Sequence, residues 1–187
     1  MESAMRNKNY AFTLIEILAV IAIFSLLLVI VVPAIGNLTT NFEITRQGQT
    51  INDHLILARQ TAITRNRDVQ LRFFQSDDAD PKWSLQLWEL KPPNNQAEAI
   101  SRKLPLPDSV ILSTPLSPIL AKSLSGTLDG ATWYALHFRA NGRLAAQLNN
   151  ENNYLTLQTR HASESAPSNY YTLQINPLTG RVTTYRP

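Results

Sequence analysis

Ala11-Phe12-Thr13-Leu14-Ile15-Glu16-Ile17-Leu18 opens the most apolar stretch of the chain, and from Ile17 to Ile35 no residue is charged and only Ser25 is polar. As a helix with 1.5 Å rise per residue this run covers about 28 Å, close to the ~30 Å hydrocarbon core of a bilayer. Arg6 and Lys8 precede it, and no basic residue follows until Arg46. That asymmetry predicts a cytoplasmic N-terminus and an exported remainder. Three readings share this orientation. A secretory signal peptide would use Val32-Pro33-Ala34 as its cleavage site, but the apolar run is long for one and Pro33 sits badly there. A plain single-pass anchor is the second. Neither accounts for Glu16, since a carboxylate within a membrane helix costs about 2.5–3.5 kcal/mol at the centre and needs a partner.

The third reading comes from a resemblance. Ala11 to Leu18 resembles the leader junction of type IV pilins and type II secretion pseudopilins. The resemblance implies cleavage by a prepilin peptidase between Ala11 and Phe12, followed by methylation of the Phe12 amine. Gly is the family's usual residue before the cut, and Ala11 stands there. Glu16 lies four residues after Phe12, so the new amine and the carboxylate share a helix face. Between staggered chains the same two charges can pair in apolar surroundings. Pro33 matches a proline often found in pilin-like helices, where it kinks or locally melts the helix. Its other reading is that Pro33 with Gly36 ends the membrane helix. The implied partners are the peptidase, other pilin or pseudopilin subunits, an inner-membrane assembly platform and the lipid bilayer.

From 37 to 65 the period stays helical. Leu38, Phe42, Thr45, Gln49, Asn52, Leu55, Ala58 and Ala62 recur every three or four residues, with Ile44, Ile51 and Ile63 widening the stripe. Gly48 reads as a weak point costing ~1 kcal/mol relative to Ala. One helix from Phe12 to about Thr64 would be roughly 80 Å long, apolar all round in its first half and amphipathic in its second.

After Asn66 the period changes to two. Val69–Phe73 and Trp83–Leu87 alternate, with a turn at Ser76–Pro81 between them. Further strands are expected at Val110–Ser113, Trp133–Phe138, Tyr154–Arg160, Tyr170–Ile175 and Val182–Tyr185. Turns at Ala140-Asn141-Gly142 and Asn176–Gly180 mark two hairpins. The proline-bearing stretch Lys91–Pro118 reads as a loop with short edge strands. The expected organisation is a leader at 1–11, a transmembrane half-helix at 12–36, an amphipathic half at 37–65 and a β-rich head at 66–187. Helix first and antiparallel strands after is an α+β class, pilin-like in order. The helix, the Trp-containing strand and the His137–Arg143 hairpin are similar to the H-type minor pseudopilins and their FimT relatives. The ending Ile175–Arg181 with Tyr185-Arg186-Pro187 also resembles a pilin-like group called Verru_Chthon cassette protein D.

Composition limits the chemistry. The chain is 44% hydrophobic and 17% charged, against about 25% charged on average, and the shortfall lies in the N-terminal run. No cysteine is present, which excludes disulfides and cysteine-held zinc. His54, His137 and His161 have no serine frame or metal-ligand spacing around them, so neither enzyme activity nor a bound metal or cofactor is expected. Asp77, Asp78 and Asp80 lack the Gly and distal Glu of an EF-hand and read as a solvated turn. The formal charge of +3 is mild. Arg160, Arg181 and Arg186, with Tyr170, Tyr171 and Tyr185 nearby in sequence, are candidate nucleic-acid contacts. FimT-like relatives use a Gly-Arg-x-Arg tail for DNA, and here Thr183 replaces the second Arg. The plainer reading is a final hairpin with surface arginines. The function expected is a minor pilin or pseudopilin, a structural filament subunit, with a pilin-anchored binding module as the alternative.

Overall fold

The computed structural model describes residues 13–145, 153–160, 162, 167 and 169–186, and the side chains of 30–41 fall outside the description. Ala11 and Phe12, and with them the expected cleavage point, therefore lie outside the described residues. Two compact units divide at Thr39/Thr40.

Helix α1 runs Leu14–Arg65. It continues through Pro33 and Gly36, so the reading in which those residues end it does not hold. In the first unit every described side chain from Leu14 to Val29 is exposed. Among the described residues no helix is long and apolar enough to cross a membrane. The expected span of 12–36 extends at both ends into residues, or side chains, outside the description.

In the second unit the helix buries Ile44, Ile51, Leu55, Ala58 and Ala62. This corrects the expected stripe, because Phe42 is 72% exposed and Gln49 points to solvent. Gly48 lies on the buried face, where an added Cβ would sit 2.5 Å from Tyr171 Cγ. The glycine read as a weakness is what lets a tyrosine ring reach the helix backbone.

α1 ends as a Schellman motif built on asparagine rather than glycine. Asn66 takes φ 51°, its N–H donates to Ile63 O, and the Arg67 N–H donates to Ala62 O.

The strands follow as β1 (Val69–Gln75), β2 (Trp83–Lys91), β3 (Gln96–Ala99), β4 (Leu104–Pro105) and β5 (Val110–Leu112). A short helix α2 (Pro118–Ala121) precedes β6 (Leu124–Leu128), β7 (Ala131–Phe138), β8 (Tyr154–Thr159), β9 (Tyr170–Ile175) and β10 (Val182–Tyr185). They form two antiparallel sheets, one in the order β3-β2-β1-β7-β6 with β4 also on β2, the other β10-β9-β8-β5. One core joins the helix to both sheets, with Phe73, Leu85, Phe138, Leu155 and Leu173 fully enclosed. β2 alternates buried and half-buried along its length, as a period-two strand on a core should.

Strand β6 and its turn were not among the expected elements. Asp129 and Gly130 both take positive φ, 51° and 76°, between the paired residues Leu128 and Ala131. That is a two-residue hairpin of the primed type, for which Asp-Gly is a strong sequence signal.

Candidate functional site

The start of α1 is held by a reciprocal pair. Both the N–H and the hydroxyl of Thr13 donate to Glu16 Oε2 at 3.1 Å. The Glu16 N–H in turn lies 3.4 Å from Thr13 Oγ1. This is a capping box, in which N-cap and third-residue side chains satisfy each other's backbone donors. A carboxylate in the first turn also meets the positive end of the helix dipole. Glu16 therefore has a local structural role besides the intermolecular one the resemblance implies. The Thr-x-x-Glu spacing in the sequence is the signal that would have found it. Pro33 lies within α1, its side chain outside the description.

The three candidate nucleic-acid arginines do not share one open face. Arg160, at the end of β8, forms an ion pair with Asp80 and donates to the carbonyls of Pro81 and Asp108. It clamps the β1–β2 turn, so Asp80 of the expected solvated turn is engaged. Arg181 is exposed just before β10, two strands away in the sheet. Arg186, after β10, donates to Thr45 Oγ1 on α1.

Two further clusters organise the head. Glu89 faces inward from β2 with its side chain 4% exposed, bonded by Arg65 at 2.7 Å and Arg67 at 3.0 Å. Burial pushes its carboxyl up, but the two arginines outweigh that and hold it below the usual glutamate value. Asp68 accepts from the Ala140 N–H at 3.0 Å, and His137 Nε2 lies 2.8 Å from its other oxygen. The sequence hid that histidine–carboxylate contact, because the two residues meet only through the β1–β7 pairing. Among the described residues no group of three or more His, Cys, Asp or Glu side chains is placed to hold a metal.

On the outer face of the first sheet the Arg72 guanidinium lies 4.3 Å from the ring centroids of both Trp88 and Trp133. Its Nε donates to Gln70 Oε1 at 2.9 Å. Burial lowers its pKa, though a guanidinium stays charged in a protein. A surface pocket of about 600 Å³ is lined by Tyr154, Tyr170, Thr156, Thr172 and prolines 115, 118 and 167. Nothing in these features assembles a nucleophile with a base.

The chain matches the family model of the prokaryotic N-terminal methylation motif over residues 6–32, and that of the type II transport protein GspH over 47–180. No curated protein matches it. Among solved structures it is similar to the minor pseudopilin EpsH from the type 2 secretion system of Vibrio cholerae. The two are 13% identical with a TM-score of 0.49, over 78% of this chain and 98% of that one.

Proposed function

The chain belongs to the family of the type II transport protein GspH, and from that membership we propose how its N-terminal segment and head are used. It is a minor pseudopilin, a subunit of a family that is structural and is anchored by the N-terminal helix. Residues 1–11 are a leader, cut between Ala11 and Phe12 by a prepilin peptidase that then methylates Phe12. Residues 12–36 span the inner membrane with the N-terminus cytoplasmic, and the head from about 66 onward stands outside with the amphipathic half-helix against it. Assembly draws the chain from the bilayer into a filament of other pseudopilins, with Glu16 facing the amine of a neighbouring Phe12. Pro33 lets the apolar half-helix adjust within the filament.

The observation carrying this reading is that one chain holds both matches in the order the mechanism needs. The methylation motif at 6–32 contains Ala11, Phe12 and Glu16, and the family's head follows at 47–180. Mass spectrometry of the mature chain tests it. N-methylated Phe12 as the first residue is expected, whereas Ile35 there would restore the signal-peptide reading. Because Arg160 is already engaged by Asp80, no specific observation favours nucleic-acid binding by the head.

A further inference from the structure

One edge strand of the first sheet has a sequence symmetric about its own centre. β6 reads Leu124-Ser125-Gly126-Thr127-Leu128, and among the described residues its free side pairs with no other strand. Outward from Gly126, each direction gives a hydroxyl and then a leucine. Edge strands are normally blunted by a charge, a proline or a bulge. β6 carries neither charge nor proline, and it pairs with β7 in unbroken register. Leu124 and Leu128 are 52% and 37% exposed, and lie with Gly126 on the face that Trp133 occupies on β7.

We propose that β6 is a docking edge for a second copy of this chain, the two β6 strands pairing antiparallel about a two-fold axis through Gly126. In that register Leu124 of each copy stands opposite Leu128 of the other, and Ser125 opposite Thr127. At both ends the exposed Lys122 before the strand stands one residue from the position opposite the exposed Asp129 after it, which brings opposite charges near each other. Gly126 suits the centre because a Cβ there would lie 2.7 Å from the Trp133 ring. The ring therefore lies over the strand, and two such rings flank the axis. Both sheets then run on as one, which closes the open edge. One short strand is a small contact beside a stable interface, so the pairing needs copies concentrated on one surface.

The chain has no cysteine, so introduced thiols report the register directly. Full-length chains carrying Ser125→Cys and Thr127→Cys are expressed together and oxidised in native membranes. Opposed residues of an antiparallel pair have Cα atoms about 4.5–5.5 Å apart, within disulfide reach. Either variant alone places its two thiols on the diagonal, about 7–8 Å apart. A linked dimer is expected from the mixture and is lost from each variant alone. Lys122→Glu, which brings a second carboxylate near Asp129, should lower the yield, and adding Asp129→Asn should recover it while keeping a residue suited to the turn. No linked dimer from the mixture, equal linking in all samples, or no recovery by Asp129→Asn would each overturn the proposal. Phe12 as the mature first residue with no cross-linking would overturn this inference and leave the filament reading intact.

Discussion

A glutamine at position 16 keeps both arms of the capping box, because its amide oxygen accepts from Thr13 as the carboxylate does. Glu16→Gln therefore removes the charge while leaving the local cap in place. If Glu16 meets a neighbouring amine, the variant should be processed normally, accumulate in the membrane and be depleted from filaments, as read by fractionation. Incorporation equal to the unaltered chain would reduce Glu16 to a helix cap. Gly48 permits an equally sharp substitution. In a solvated helix Gly48→Ala would stabilise by up to ~1 kcal/mol. Here the added methyl meets the Tyr171 ring, and overpacking of that kind costs about 1–3 kcal/mol. A lowered denaturant midpoint is expected, and a raised one would mean that Tyr171 moves aside freely.

Among the elements, the β6–β7 turn isolates backbone strain from packing. An added Cβ on Gly130 would meet nothing within 4 Å, yet its φ is 76°. Gly130→Ala should thus lose about 1–2 kcal/mol from the left-handed backbone alone, seen as a lower unfolding temperature. At the helix-to-sheet junction the same measurement acquires a pH dependence. Glu89 is held below its ordinary value in the folded state, so its contribution is fully present above the unfolded value of about 4.3 and is lost as pH falls through the folded one. Acid should weaken the head below about pH 4.3. Glu89→Gln should flatten that dependence and cost about 1.5–3 kcal/mol at neutral pH, as for hydrogen bonds to charged groups. An unchanged acid profile would place the sensitivity in other carboxylates.

At the scale of the molecule, every described residue of the core in the second unit lies beyond the Thr39/Thr40 division, the first being Ile44. A fragment beginning at Thr40 is therefore expected to fold, with circular dichroism showing mixed helix and antiparallel sheet. Within it Trp83, 3% exposed and joined to the core, should cost about 3–5 kcal/mol when truncated to Ala. A fragment that is unfolded, or wholly helical, would contradict the core that α1 shares with both sheets.

The sequence by itself determined the elements whose signals are local. Charge-free length from Ile17 to Ile35 marked the apolar half-helix, and alternation marked β1 and β2. The junction around Phe12 carried the family resemblance. Two further local signals stand in the chain: Thr13-x-x-Glu16 marks the helix start and Asp129-Gly130 the β6–β7 turn. Tertiary structure alone decided what depends on residues far apart in the chain. Which side of α1 is buried was settled by Tyr171 reaching Gly48, and the fate of Arg160 by Asp80 lying eighty residues earlier. Gly142 and Gly180 mark turns in sequence, but only the fold stacks both against Arg59 of the helix, where its guanidinium Nε donates to Thr179 O at 2.8 Å. Periodicity tells how a segment repeats, whereas burial and pairing depend on which distant segment arrives beside it.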